Sequence, residues 1–370
     1  MSYLVGQWGT GNAGRLALSA LIEHPDLELA GVVTGDPKHV GADACELAGN
    51  GRPTGVIATD DPAALLALRP HVICHTASSA RDVAGEMCRI LEAGIGVVSG
   101  VLPEMVHPPS ADRALVRRLR SACATGGAAC LTVGPGLVYD VLPLVLSGAC
   151  LRIHGVTITG FTCRDDPATV TRHGFGNPIG RRPPIVRPGT PRRKWGPVVR
   201  LLAEHLAVPL DDVCESYELC AAPEDIGPIA KGTLAGLRAR VAGMLRGRPV
   251  ITIDRIARLR ADIAPHWPAP PAGGGGHRVE IDGEPPWRVD IADPVPGAEL
   301  QRSGGSRVGE PFQGVWGVVP PEEISPGGAG SSALRMAGAV RAVAEAPPGL
   351  HTPLTLPPIT GRRLLRPARC

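Results

Sequence analysis

Gly9-Thr10-Gly11-Asn12-Ala13-Gly14 is the stretch that decides the fold of this chain, because of what lies on either side of it. The apolar run Tyr3–Val5 before it is typical of a β-strand, and apolar residues recur at helical spacing in Arg15–Glu23 after it. Strand, glycine turn and helix in this order form the dinucleotide-binding fingerprint, in which glycines permit a tight turn and close approach to a pyrophosphate. We therefore expect the start of this helix to bind the phosphates of a dinucleotide coenzyme.

The composition is that of a globular protein with two domains. The chain has 370 residues, of which 44% are hydrophobic, and this length is large for a single domain. Charged residues make up 20% and the net charge is +3, so the charge balance favours neither nucleic acid nor a membrane surface as a partner. One basic segment, Arg181–Lys194, reads as a solvated loop, with a phosphate-binding role left open.

The ten cysteines are expected to be free thiols. They include no C-x-x-C pair and most lie within apolar runs, which argues against both a metal site and a disulfide framework. No apolar run reaches membrane-spanning length and no signal-peptide pattern opens the chain, so the sequence predicts a cytoplasmic protein.

The order of predicted elements gives an α/β protein. Residues 1–135 contain six short apolar strands separated by helices, which predicts a doubly wound parallel sheet of Rossmann type. Residues 136–330 read as an α+β domain with a mostly antiparallel sheet. We expect a helix there at about Ile229–Leu245, and a β-hairpin whose strands Arg278–Ile281 and Trp287–Ile291 flank Asp282-Gly283. Residues 331–370 hold a long apolar helix and a proline-rich tail.

The preferred coenzyme is predicted from the end of the second strand. About twenty residues past the glycines, where an NAD site usually has an acid, this chain has Thr34. Asp36 comes two places later, and Lys38 and His39 follow it, so we expect NADP, with NAD open if Asp36 turns inward. Ligands of such sheets bind beyond the carboxyl ends of the strands. The expected coenzyme contacts are therefore Gly9, Thr10, Gly11, Asn12, Ala13, Gly14, Thr34, Thr76, Ala77 and Ser78.

Beyond these patterns, the chain resembles a known family. Val5–Arg15 looks like the opening of the dihydrodipicolinate-reductase-like proteins, in the subgroup that includes 2,4-diaminopentanoate dehydrogenase and the native amine dehydrogenases. The resemblance is weak from about residue 165 to residue 325. It continues elsewhere in four further segments, which are Ile22–Leu29, Asp36–Gly41, Gly134–Leu144 and Ala346–Ile359.

The resemblance implies an NAD(P)H-dependent oxidoreductase that interconverts an imine, or a ketone plus ammonia, and an amine. It also implies a homodimer, and a last helix that returns to the nucleotide domain. Amine dehydrogenases of this kind use a glutamate just beyond the fifth strand, which here is Glu104. A carboxylate at that place stabilises an iminium cation and relays protons. Gly134 and Gly338 depart from the family, which usually has asparagine at both places.

The remaining candidates are weaker. Gly134, Tyr139 at the domain junction and His173 in a polar loop are expected to line the pocket for an imine, amine or carbonyl substrate. His107 reads equally as part of a surface turn, and Trp8 and Trp316 either line the cavity or, for Trp8, pack beneath the glycine turn. Two other functions stay open, a carbonyl or semialdehyde reductase that needs no ammonia and an NADP-binding regulator without turnover.

Overall fold

The computed structural model describes residues 2–49, 52–77, 82–271, 274–293, 329–361 and 363–364, except for the side chains of Ala168 and Ala329. These residues form two compact units. The first comprises residues 2–136 together with the described residues from 329 onward, and the second comprises residues 137–293.

The first unit is built on a parallel sheet of seven strands in the order β13-β6-β5-β4-β1-β2-β3. This confirms the predicted α/β class with a Rossmann-type sheet. The strand from the tail, which the sequence did not predict, extends the sheet next to β6. The seven strands are β1 (Tyr3–Trp8), β2 (Leu27–Val33), β3 (Ala58–Thr59), β4 (Val72–His75), β5 (Gly96–Ser99), β6 (Ala129–Thr132) and β13 (Gly349–His351).

Six α-helices connect and cover these strands. They are α1 (Asn12–Glu23), α2 (Ala44–Ala48), α3 (Pro62–Ala67), α4 (Val83–Glu92), α5 (Arg113–Gly126) and α9 (Ala329–Ala344). Each of α2 to α5 follows an aspartate whose side chain accepts a hydrogen bond from a backbone N–H of the first turn: Asp43, Asp61, Asp82 and Asp112. By contrast, α1 begins after Gly11 with no side-chain cap, as expected of a helix end that receives a phosphate.

The core of this unit lies on both faces of the sheet. On one face, the last helix packs through Met336 and Val340 onto the apolar side chains of the central strands, such as Val98. On the other face, α4 and α5 cover Ile73 and Val97. Burial on both faces explains why the strands read as continuous apolar runs rather than as alternating patterns.

The second unit contains a mixed sheet of six strands in the order β12-β11-β7-β10-β9-β8, in which β10 runs parallel to β7 and the other neighbours are antiparallel. The helices are α6 (Val141–Ser147), α7 (Pro167–His173) and α8 (Thr190–His205). The strands are β7 (Arg152–Cys163), β8 (Asp212–Ala221), β9 (Leu234–Leu245), β10 (Arg248–Arg258), β11 (Gly275–Glu284) and β12 (Trp287–Ala292).

One predicted element of this unit is wrong, and another is confirmed. The helix expected at about Ile229–Leu245 is strand β9, in which Leu237, Ala239 and Val241 are buried alternately with less buried residues. That period of two belongs to a strand. The predicted hairpin is present as β11–β12, and its two strands are joined by residues 282–286.

Two expectations about composition are met within the described residues. None of the helices is long and apolar enough to cross a membrane. The nine described cysteines are all free, and five of them are buried: Cys45, Cys74, Cys88, Cys123 and Cys130.

Candidate active site

The glycine turn between β1 and α1 is shaped by two close approaches and one open position. Gly9 has φ +102°, and a Cβ on it would lie 2.8 Å from the Ala77 backbone nitrogen. A Cβ on Gly14 would lie 2.1 Å from the Gly9 carbonyl oxygen, so neither position tolerates a side chain. A Cβ on Gly11 would meet nothing within 4 Å. The turn is thus tight within the protein and open at Gly11, where a pyrophosphate would approach.

A buried glutamine, which the sequence analysis missed, braces this turn. The Gln7 Nε2 amide donates to the Gly9 carbonyl at 2.8 Å and to the Thr76 hydroxyl at 2.9 Å. The Thr76 hydroxyl in turn lies 3.0 Å from the Gly9 carbonyl oxygen, to which it donates. A polar residue inside an otherwise apolar strand was the available signal. The predicted contacts Thr76 and Ala77 therefore lie directly against the turn.

The end of β2 is tied to the glycine turn through hydroxyl groups. The Thr10 and Thr34 hydroxyls are 2.6 Å apart, and the Thr10 hydroxyl is 2.8 Å from Nδ1 of His39. Asp36 is exposed, and its carboxylate accepts the Lys38 backbone N–H at 3.0 Å. The structure thus holds the Asp36 carboxylate within its own turn, while the exposed Lys38 and half-buried His39 stand beside it.

These residues fit a dinucleotide coenzyme. The uncapped start of α1 and the open position at Gly11 suit a pyrophosphate, and the Thr34–His39 segment suits the adenosine ribose. No cluster of three metal-ligating side chains is found in the part of the chain that the structure describes. Ser78, which was expected to contact the coenzyme, lies outside the described residues.

Glu104 is presented by a short 3₁₀ helix, Pro103–Val106, just beyond β5. Leu102 begins this helix with φ +58°, and the buried side chains of Met105 and Val106 anchor it in the core. The Glu104 carboxylate is half-buried and makes no hydrogen bond or ion pair with any described residue. His107 follows this helix and is buried, with Nδ1 2.8 Å from the Ser110 hydroxyl, so of its two open interpretations the surface turn is wrong.

The two glycines that depart from the family occupy buried or crowded positions. Gly134 follows β6, and its carbonyl accepts a hydrogen bond from the Ser332 hydroxyl at 2.8 Å. A Cβ on Gly338 would lie 3.2 Å from Cγ2 of Ile359. An asparagine at position 338 would therefore need Ile359 to shift.

Tyr139 and His173 lie in the second unit, as does the half-buried Arg255 of β10, whose charge acts on both. Burial raises the pKa of Tyr139, whose hydroxyl lies beside the Arg255 guanidinium. Burial and then the charge of Arg255 lower the pKa of His173 to about 4 and that of His277 to about 3. Sequence reasoning missed Arg255 and His277, because only the pairing of β7, β10 and β11 brings them to Tyr139.

The tryptophan expectations have separate outcomes. Trp8 is 3% exposed and packs in the core of the first unit, with its ring 5.9 Å from that of His75. It therefore supports the turn from below and does not line a cavity. Trp316 lies outside the described residues.

The known proteins that the chain resembles are dehydrogenases, which agrees with the dinucleotide-binding geometry of the glycine turn. No family profile matches the chain. An amine dehydrogenase of Streptomyces virginiae is 34% identical over 372 residues, covering 96% of this chain and 97% of that protein. The structure of amine dehydrogenase from Mycobacterium smegmatis matches with a TM-score of 0.69 at 19% identity, covering 98% of each chain. A probable dehydrogenase from Thermotoga maritima matches with a TM-score of 0.55 at 15% identity, covering 94% of this chain and 91% of that one.

Proposed function

The chain belongs to the amine dehydrogenase family, and on that premise we propose that it interconverts an imine, or a ketone plus ammonia, and the corresponding amine, with Glu104 as the catalytic carboxylate. Its activity as a nicotinamide-dependent amine oxidoreductase follows from family membership. The residue roles, the coenzyme preference and the substrate contacts are our proposals. We also propose the dihydrodipicolinate-reductase-like subgroup, on the resemblance of Val5–Arg15.

The unpartnered carboxylate of Glu104 carries the proposal. It stands beyond β5, at the same edge of the parallel sheet as the glycine turn that follows β1. Only β4 separates these two strands. A half-buried carboxylate that no described residue neutralises is suited to meet a cation. An iminium or ammonium group would supply that cation.

The chemistry divides between coenzyme and protein. The bound nicotinamide supplies or accepts the hydride. Glu104 holds the nitrogen-bearing cation by charge, and it accepts or returns a proton as ammonia condenses with a carbonyl. We propose Gly134 as a substrate contact because it follows β6, and we propose Tyr139 and His173 because they are buried polar groups.

We propose NADP as the preferred coenzyme. The support is the position of Asp36, whose carboxylate is engaged by the Lys38 backbone, and the cationic or polar groups of Lys38 and His39 beside it. A free acid at this place would repel a 2′-phosphate, whereas Lys38 would attract it. The dissociation constants of NADPH and NADH, measured by fluorescence titration, test this preference, and equal or tighter binding of NADH contradicts it.

A homodimer is proposed on the family resemblance and on the exposed apolar edge of the second unit. Leu151 is 81% exposed and Trp287 is 37% exposed, and the Leu151 N–H donates to the Glu284 carbonyl close to Trp287. Multi-angle light scattering at several protein concentrations gives the mass in solution, and a monomer throughout contradicts the proposal.

The role of Glu104 is tested by Glu104→Gln, which removes the charge and keeps the shape. We expect kcat for reductive amination to fall by about 10²-fold or more, because general acid–base catalysis contributes on that order. Affinity for NADPH should stay within about twofold, since the carboxylate does not hold the phosphates.

The matched control is Glu92→Gln, an exposed glutamate at the end of α4. It should leave kcat unchanged. If Glu104→Gln kept full kcat on a substrate that the unaltered enzyme aminates, the catalytic assignment would be wrong.

A further inference from the structure

The second unit contains a cluster of polar and cationic side chains, of which only Tyr139 and His173 take part in the proposed function. Its centre is the Arg255 guanidinium, which donates to the Thr162 hydroxyl at 2.8 Å and lies beside the Tyr139 hydroxyl. No described carboxylate lies within ion-pair distance of Arg255. Lys194 adds a second cation. It belongs to α8, which packs on β10, and its ammonium nitrogen lies 5.1 Å from the ring centre of the buried Trp195. Burial, followed by the charges of Arg255 and Arg172, lowers the pKa of Lys194 to about 8.

His277 is the second observation that points to a ligand. It is 2% exposed, and neither of its ring nitrogens has a hydrogen-bond partner among the described residues. Its ring packs edge-on against that of Tyr139, with centroids 5.5 Å apart. A buried imidazole without any partner leaves its polar nitrogens unsatisfied, which costs free energy unless another molecule supplies a partner.

The pairing of the strands brings these groups to one face of the sheet. Gly160 of β7 is directly paired with His277 of β11 on one side and with Arg255 of β10 on the other. A Cβ at Gly160 would lie 2.6 Å from the Tyr139 hydroxyl oxygen and 2.7 Å from Nη1 of Arg255. Glycine at this position therefore gives the hydroxyl and the guanidinium the space to meet.

Two acids lie near this cluster, and each is close to another arginine. Asp254 belongs to the next position of β10 and is bound by Arg238, with Nη2 and Oδ2 2.6 Å apart. Asp293 lies 3.9 Å from Arg164. Both acids are therefore placed with other arginines. Arg255 has no ion-pair partner among the described residues, and a partly buried cation is costly without an anion.

We propose that Arg255, Lys194, Tyr139 and His277 form a binding site for the carboxylate of a small molecule. The planar fork of an arginine matches a carboxylate with two parallel hydrogen bonds. The Tyr139 hydroxyl and a ring N–H of His277 supply further donors. The carboxylate belongs either to the substrate, which rests on the proposed function, or to a separate effector. The test of carboxylate binding depends on neither source, because binding is measured without coenzyme and without turnover.

The experiment titrates the full chain with butyrate and follows the histidine ring nitrogens by NMR, with butyramide as the uncharged probe of the same shape. His277→Phe identifies the His277 signals. We expect butyrate to shift them saturably and to raise the pKa of His277, because the anion offsets the charge of Arg255. Butyramide should do neither. Equal shifts with both probes, no saturable shift, or preferential binding of inorganic phosphate would overturn the proposal.

The variants separate the site from the fold. Arg255→Met and Lys194→Met should each weaken butyrate binding, by about tenfold or more for Arg255, the size expected for a charge-assisted pair. If Arg255→Met fails to fold, Lys194→Met still tests the site, because Lys194 is exposed and its replacement should not disturb the fold. Arg248→Met, at the exposed start of the same strand, is the control and should bind like the unaltered protein. Equal binding by Lys194→Met and Arg248→Met would contradict the site.

Steady-state kinetics then identify the source of the carboxylate. Inhibition by butyrate that is competitive with the carbonyl substrate assigns the site to the substrate's own carboxylate. Inhibition or activation that persists at saturating carbonyl assigns it to an effector. An enzyme that turns over no amine would refute the proposed function and leave the NMR result standing.

Discussion

At the scale of single residues, the three glycines of the turn have three different physical reasons to be glycine. Gly9 needs a positive φ, Gly14 needs the absence of a side chain against the Gly9 carbonyl, and Gly11 needs neither. Gly11 is the N-cap of α1, where glycine is favoured but not required, and it leaves space for a molecule that approaches from outside. The comparison of Gly11 with Gly14 therefore separates a role in the fold from a role in binding.

We expect Gly11→Ala and Gly14→Ala to differ in stability and to agree in binding. Gly14→Ala forces a methyl group to 2.1 Å from a carbonyl oxygen, so its free energy of unfolding should fall by about 2 kcal/mol or more. The free energy of unfolding of Gly11→Ala should lie within about 0.5 kcal/mol of that of the unaltered protein. Both should bind NADPH at least about tenfold more weakly. Unimpaired binding by Gly11→Ala, measured by calorimetry, would contradict the pyrophosphate assignment.

Some residues of the candidate site could be placed from the sequence alone, and others could not. The glycine turn and Thr76 could be placed from the sequence, because motif spacing fixes which loop follows which strand. Gln7 and Arg255 could not be placed, because their roles depend on strand register. Glu104 was located by resemblance, and the structure adds that no described residue neutralises it.

At the scale of elements, the second unit depends on strand pairings that the local pattern did not reveal. The segment Leu234–Leu245 was predicted as a helix, although its buried residues alternate along a strand. Arginines occupy alternate positions of this strand, such as Arg238 and Arg240. They lie on the same side of the sheet and surround Asp254. Ion pairs between neighbouring strands thus involve the arginines of this segment.

The buried histidines of the second unit predict a loss of stability in acid. His277 and His173 have folded pKa values of about 3 and about 4, below the usual 6.5. Above pH 6.5 both rings are neutral in the folded and in the unfolded chain, so neither ring lowers the free energy of unfolding there. As the pH falls below that value, the unfolded chain binds protons that the folded chain refuses. Stability is therefore lost until the folded pKa is reached.

The test compares the free energy of unfolding in urea at pH 7.5 and pH 5.0 for the unaltered protein and for His277→Phe. Each buried histidine accounts for about 2 kcal/mol of loss over this range, from its unfolded pKa down to pH 5.0. The variant should therefore lose about 2 kcal/mol less than the unaltered protein. Equal losses would contradict a neutral, buried His277.

At the scale of the whole molecule, sequence and structure agree on a nucleotide-binding unit and a second unit with a mostly antiparallel sheet, in which the structure has one parallel pair, β7 and β10. The regular alternation of strand and helix made the first unit predictable, since parallel sheets admit few topologies. The seventh strand, Gly349–His351, was not predictable, because three residues carry no periodic signal and their partner strand β6 is far away in the sequence. Family membership then connects this architecture to amine chemistry.

The most direct test of the central claim is the ammonium dependence of NADPH oxidation by the purified protein. A panel of ketones and aldehydes, with and without carboxylates, is followed by the loss of NADPH absorbance. We predict oxidation that requires ammonium and yields the amine, because Glu104 is placed to act on a nitrogen-bearing cation. Oxidation at the same rate without ammonium, yielding an alcohol, would contradict the proposed amine dehydrogenase activity.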